Sequence, residues 1–164
     1  DCTAPIDATE LSASVGFTDS GSVSTVEELG RYVQAEARQA LRAEGATPPR
    51  YETPLPVSED APSWYQATGG AYLVGSMVGQ HGSILGYATA AYSDPATGFT
   101  VVVSMNNSTA SGTAAHLAWQ LAAIASKAPA ASGETAPEFG LPFTAQQYQD
   151  RIAANETCAA PPAE

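Results

Sequence analysis

The chain has 164 residues, 44% of them hydrophobic, and a formal net charge of −11 from six basic and 17 acidic residues. That length suits about one domain, with a hydrophobic share ordinary for a globular protein. So few basic residues exclude a basic patch for nucleic acid or an anionic membrane surface, and no apolar run is long enough to span a bilayer.

Residues 1–17 are mixed and polar, without clear periodicity or a signal-peptide pattern, and Asp1-Cys2 reads as a processed, cloned or truncated beginning. Asp19-Ser20-Gly21-Ser22 reads as a turn. Ser24 and Thr25 precede Glu27 and Glu28, which offers a capping box in either register. The helix they open is predicted over 25–44, with Val26, Leu29, Val33, Ala37, Ala40 and Leu41 on one face and Gly45 as its stop. Glu28, Arg31, Glu36 and Arg38 form its solvated face. Residues 47–63 hold Pro48, Pro49, Pro54, Pro56 and Pro62, the composition of a linker or surface loop. Trp64, Tyr65 and Tyr72 then read as cover for a sheet edge, or as an aromatic wall against a substrate.

Residues 69–107 read as three strands. Residues 71–78 are apolar and interrupted by Gly75; 84–92 are small and apolar; 99–105 are β-branched and continuous, which predicts burial on both faces. Asp94-Pro95-Ala96-Thr97-Gly98 supplies the turn between the last two. Between the first two lies Gly79-Gln80-His81-Gly82-Ser83, polar, glycine-flanked and carrying one of two histidines. A meander with a polar triplet at a strand edge suggests a site that receives a substrate's backbone.

A helix over 112–127, with Leu117, Trp119, Leu121 and Ile124, is predicted to pack on the sheet. Lys127 falls in its last turn, where a cation is favoured. His116 within it reads as a structural or surface histidine rather than a catalytic one. Residues 128–142 are rich in Ala, Pro and Ser and read as extended. A last short helix is predicted over 144–156, with Thr144 and Gln147 as a capping pair. Asn155-Glu156-Thr157 fits an N-glycosylation acceptor.

Cys2 and Cys158 lie near opposite ends, without metal-ligand spacing, and neither histidine is arranged around them, so no metal or cofactor is expected. Two independent thiols are one reading. The other, which we favour, is a disulfide tying the termini. It implies an oxidising compartment, secreted or at the cell-envelope exterior. In the loop-closure model so long a loop contributes up to ~5 kcal/mol.

Gly79-Gln80-His81-Gly82-Ser83-Ile84-Leu85-Gly86-Tyr87, followed by a turn and the strand ending Val101-Val102-Val103-Ser104-Met105-Asn106-Asn107, resembles the third motif of the penicillin-recognising serine hydrolases. These are the D-alanyl-D-alanine carboxypeptidases, class C β-lactamases and related esterases, in which Lys-Thr-Gly or His-x-Gly lines the active site. Gly21-Ser22-Val23-Ser24-Thr25-Val26-Glu27-Glu28-Leu29 is similar to the family's segment that closes the site and opens a helix of the helical subdomain. The resemblance covers roughly residues 6–157. It implies an α+β (α/β) fold, an antiparallel sheet flanked by helices, lacking the family's N-terminal strands and nucleophile helix. Residues 1–63 would be a partial helical subdomain and Pro-rich linker, and 64–164 the sheet-and-helix part.

The family forms an acyl-enzyme through Ser-x-x-Lys, with a Tyr-x-Asn or Ser-x-Asn element beyond it. Neither is in this chain: the one lysine, Lys127, has Ile124 three residues before it, and Tyr51, Tyr65 and Tyr72 lack an asparagine two residues on. By resemblance, the catalytic residues belong to a partner N-terminal fragment of the same protein. This chain contributes the wall that recognises a small-molecule or peptidyl substrate: Gln80, His81, Gly82 and Ser83. Anchoring the motif on Gly86-Tyr87 puts Gln80 at the family's basic position; anchoring on the imidazole puts His81 there. The first is preferred, because a one-residue slip exchanges the faces of a strand. It implies an esterase or amidase with a less anionic substrate, and places Gln80 and Ser83 on the site with His81 turned away. The alternative is a non-catalytic binding or structural module that keeps the fold.

Overall fold

Six strands follow one another through a single antiparallel sheet in chain order: β1 (Leu55–Pro56), β2 (Tyr65–Thr68), β3 (Ala71–Val74), β4 (Met77–Ile84), β5 (Tyr87–Ser93) and β6 (Thr100–Met105). Three helices accompany them: α1 (Val26–Ala37), α2 (Ser111–Ala125) and α3 (Ala145–Ala154). This α+β arrangement is seen in a computed structural model that describes residues 4, 6–7, 9–10, 12, 14, 16–17, 20–47, 49–129, 132–133 and 140–155. Cys2, Cys158 and the disulfide expected between them lie outside the described residues, as do Glu156 and Thr157.

The strand period sorts the sheet into two faces. Val74, Met77, Ala88, Ala90, Tyr92, Val101 and Val103 point to one side and form the main core with α2, α3, Trp119, Phe143 and Tyr148. Ala71 and Val78 point to the other and meet Ala37 of α1. β6 is buried on one face only: Val101 and Val103 are buried, Val102 is half-buried and Ser104 is exposed. Continuous β-branching therefore overstated its burial, because α1 covers only part of its second face.

The largest departure from expectation concerns residues 79–83. They are the middle of β4, not a connection, and Gln80 to Ile84 each have a partner on β5. The connection is Leu85-Gly86, with Gly86 at φ +91°. Gly79 is paired on both sides, with Tyr72 and Tyr92, and must be glycine because a Cβ there would strike the Ala91 carbonyl and the Tyr92 ring. The break before β4 is Gly75-Ser76, with Gly75 at φ +61° between the paired Val74 and Met77. β1 lies within the Pro-rich stretch and pairs with β2 across the 63/64 boundary.

α1 ends at Ala37, seven residues before its expected last residue, Glu44. Its Thr25 cap accepts from the Glu28 amide as expected. At the other end Ala40 N–H donates to the Ala35 carbonyl and Gln39 N–H to the Glu36 carbonyl, a Schellman closure. Gln39 takes the left-handed position at φ +56° that glycine usually fills. Its side-chain oxygen accepts from the Arg50 amide and from Arg42, tertiary contacts that offset the strain. α2 stops at Ala125, so Lys127 lies in the turn beyond it, its amide donating to the Ile124 carbonyl.

α3 starts at a full capping box: the Thr144 hydroxyl accepts from the Gln147 amide, and the Gln147 side chain accepts from the Thr144 amide. Thr144→Ala is expected to lower stability by ~1 kcal/mol, since it strips one partner from the box. An unchanged urea midpoint would show that the cap does not hold α3.

Candidate functional site

β3 pairs with β4 only as far as Gly79, opposite Tyr72. From His81 to Ile84, β4 is paired with β5 on one side and has no strand on the other among the described residues. The free side can be assigned group by group. The His81 amide does not enter the β5 ladder; it donates to the Oε1 of Gln80 at 3.0 Å. Alternation then turns the Ser83 N–H and C=O outward in the same direction.

Gln80 caps the first open rung. Its Nε2 donates to the Gly70 carbonyl at 3.1 Å while its Oε1 receives the His81 amide. Gly70 is the residue that would face His81 if β3 continued in register. The Gln80 amide thus stands in for the missing backbone, leaving Gly82 and Ser83 exposed beyond it. A Cβ at Gly82 would meet nothing within 4 Å.

The four expected site residues are brought onto one strand but not onto one face. Gln80 and Gly82 point towards the α1 side; His81 and Ser83 point towards α2. The expected grouping of Gln80 with Ser83 is therefore corrected by the two-residue period of the strand. His81 is not a loop histidine. Its ring stacks on Tyr72 with centroids 4.6 Å apart, and Nδ1 lies 2.6 Å from the Tyr92 hydroxyl. Trp119 meets it edge-on at 6.1 Å. Trp64, Tyr65 and Tyr72 belong to this packed cluster. His116 is half-buried and lies against Tyr148 at 5.3 Å.

On the α1 side a shallow cleft of about 160 Å³ lies between helix and sheet, lined by Leu29, Val33, Glu36, Arg50, Val78 and Gln80 among others. Glu36 and Arg50 form an ion pair there, with the Glu36 side chain 13% exposed. The sequence pattern places Glu36 on a solvated face of the helix and points to no role for Arg50. No local signal links residues 14 apart across a Pro-rich stretch; the pair exists because that stretch folds back along α1. The Tyr51 hydroxyl, which donates to the Glu36 carbonyl at 2.9 Å, pins it there.

Burial lowers the pKa of both histidines, with His116 adding to the effect at His81 and Arg151 at His116. Burial also pushes the Tyr65 hydroxyl up to about 12, and raises Tyr92 further. His81 is therefore neutral at physiological pH. Ser83 has no hydrogen-bonded base among the described residues, and no group of three or more His, Cys, Asp or Glu side chains there could hold a metal. No described helix is long and apolar enough to cross a membrane. The strand edge can accept and donate backbone hydrogen bonds.

The depressed imidazole pKa values carry a sign. An unfolded histidine takes up its proton near pH ~6.5, whereas the folded ones do so only at lower pH. Their contribution to stability is complete above ~6.5 and is lost as pH falls through the folded values. Urea midpoints measured downward from about pH 7.5 to about 5 should decline, and His81→Gln should reduce the slope. A midpoint independent of pH across that window would contradict the burial.

No family model, curated protein or solved structure matches this chain.

Proposed function

We propose that this chain is the substrate-recognition part of a serine hydrolase of the penicillin-recognising type, acting through an acyl-enzyme on an amide or ester. The observation that carries the reading is the open side of β4. Among the described residues no strand pairs with this side of β4 beyond Gly79, and past the Gln80 cap the Ser83 N–H and C=O are offered to an extended substrate, which would add to the sheet beside it. The motif resemblance falls on this same strand, and the exposed Gly82 allows close backbone approach. D-alanyl peptides, β-lactams and simple esters share the amide or ester carbonyl such an edge would hold. Neutral Gln80 at the family's basic position favours the less anionic of them. In this reading the fold is the C-terminal part of a β-lactamase-like domain at the cell exterior. The serine, its lysine and the tyrosine base come from an N-terminal fragment of the same protein.

Covalent labelling tests this. The 164 residues expressed alone should take no adduct from penicillin or a fluorophosphonate, as read by intact mass. Joined to the N-terminal fragment, the protein should take one, on a serine of that fragment. A stoichiometric adduct on Ser83 or another serine of this chain would overturn the placement of the nucleophile. Absence of any adduct from the joined protein would overturn the hydrolase reading.

One observation favours a second reading, a binding module without catalysis: Nδ1 of His81 is engaged by Tyr92, and no base among the described residues reaches Ser83. Such a module would bind an extended peptide along β4 and never form an adduct.

A further inference from the structure

We propose that the cleft between α1 and the sheet is a specificity pocket that takes a carboxamide side chain, of glutamine or asparagine, carried by an extended peptide lying along β4. The inference rests on the reading of β4 as a substrate edge, and deepens it by naming the side chain that the edge selects.

The cleft opens at that edge. Val33, Val78 and Ala91 are buried at its base, and the exposed Tyr32, Gly70 and Gln80 stand at its rim. Gln80 is also the cap on the first open rung of β4, so the mouth lies where β3 stops covering the strand. On a peptide paired with β4, the residue opposite Gly82 points to the α1 side, since directly paired residues share a face. Among the described residues nothing lies within 4 Å of a Cβ at Gly82, so this space is open to an incoming side chain. Gln80 is the next residue on the same face, about 7 Å along the strand. A side chain that stands over Gly82 and leans towards Gln80 therefore enters the cleft at its rim. The volume of about 160 Å³ is well below the ~300–1,000 Å³ of sites that hold a whole small molecule, and suits one side chain.

The polar groups inside select what fills it. Glu36 and Arg50 satisfy each other only in part. Oε1 of Glu36 is buried and paired with Nη1 of Arg50. Nε of Arg50 donates to the Gly69 carbonyl at 2.7 Å. Oε2 of Glu36 and Nη2 of Arg50 are left without a partner among the described residues, and neither is shut off from solvent. Nη2 lies at the rim, 3.5 Å from the place of a Cβ on Gly70. One ion pair thus offers a spare acceptor and a spare donor while its charges cancel. A carboxamide is the matching group: its oxygen accepts from Nη2, its N–H donates to Oε2, and it carries no charge. A carboxylate would be repelled by Glu36, and an ammonium by Arg50. An aliphatic side chain would take water from both groups and satisfy neither. The apolar base receives the methylene stem.

Binding of blocked alanine pentapeptides to the 164-residue chain tests it, with glutamine, glutamate, lysine or leucine as the central residue. Calorimetry reads affinity, and amide exchange at residue resolution reads where the peptide lies. The glutamine peptide should bind about tenfold or more tighter than the other three and protect the Ser83 amide. Glu36→Gln keeps the shape and removes the negative charge, so the glutamate peptide should become the tightest. Arg50→Gln should move the preference to lysine. Urea midpoints show whether each variant is folded, and the wild-type ranking decides the matter by itself if either is not. Four peptides that protect Ser83 with equal affinity keep the β4 reading and overturn the pocket. Peptides that do not bind, or bind without protecting Ser83, overturn the β4 reading and the pocket with it. A glutamine preference left unchanged by a folded Glu36→Gln chain also overturns the pocket.

Discussion

Trp119→Ala is expected to cost about 3–5 kcal/mol of unfolding free energy, the range for truncating a large buried aromatic. Trp119 is 4% exposed and is the point where the two layers of the core meet. From α2 it touches Tyr65 at 5.2 Å and Tyr92 at 5.9 Å in the sheet, Tyr148 at 5.2 Å in α3, and Trp64 at 6.2 Å beside β2. Most of these contacts are edge-to-face, the geometry that aromatic quadrupoles favour. Alanine would leave a void bounded by rings held by their own strands and helices, so collapse could fill little of it. Domains of this kind have only ~5–15 kcal/mol in total, which puts the variant close to its unfolding midpoint at room temperature. Urea titration followed by far-ultraviolet circular dichroism measures the loss. A change under ~1 kcal/mol would show that the rings do not depend on Trp119.

Ser83→Pro is expected to lower kcat/KM about a hundredfold or more in the protein joined to its N-terminal fragment, while leaving the fold in place. The substitution removes the one outward N–H that β4 offers beyond the Gln80 cap. The ladder to β5 does not use that group, and proline is tolerated on the open side of a strand. If the N–H meets a developing oxyanion, kcat falls; if it holds only the ground-state carbonyl, KM rises instead. Ser83→Ala keeps the N–H and should stay within a few fold of wild type, separating backbone from hydroxyl. Turnover of a chromogenic ester, with melting temperatures alongside, reads both variants. A proline variant that melts normally and turns over like wild type would remove β4 from the active site.

Local signals decided a good part of this chain. The Thr144–Gln147 box and the Thr25 cap were legible because each joins groups three residues apart on one helix. So was the Asp94 turn. Burial would raise the Asp94 carboxyl, but hydrogen bonds from Ser76, Thr97 and Ala96 outweigh it and hold the group below the usual carboxylate range. Periodicity and turn chemistry predicted a three-strand meander with a helix packed on it, and placed residues 80–83 together; the antiparallel sheet flanked by helices was what the resemblance implied. Their place within the strand was not legible. A glycine-flanked polar run looks like a connection, while the true hairpin tip, Leu85-Gly86, begins with an exposed leucine. Which side of β4 is bare, where α1 stops and what Glu36 pairs with depended on residues far away in the chain. β3 pairs with β4 only as far as Gly79, Gln39 is held in its strained position by Arg50, and Arg50 returns along α1 to reach Glu36. Caps and turns are settled by groups within one turn of each other. An open edge, a left-handed glutamine and a distant ion pair are settled only when packing brings separated segments together, and a linear pattern holds no record of that.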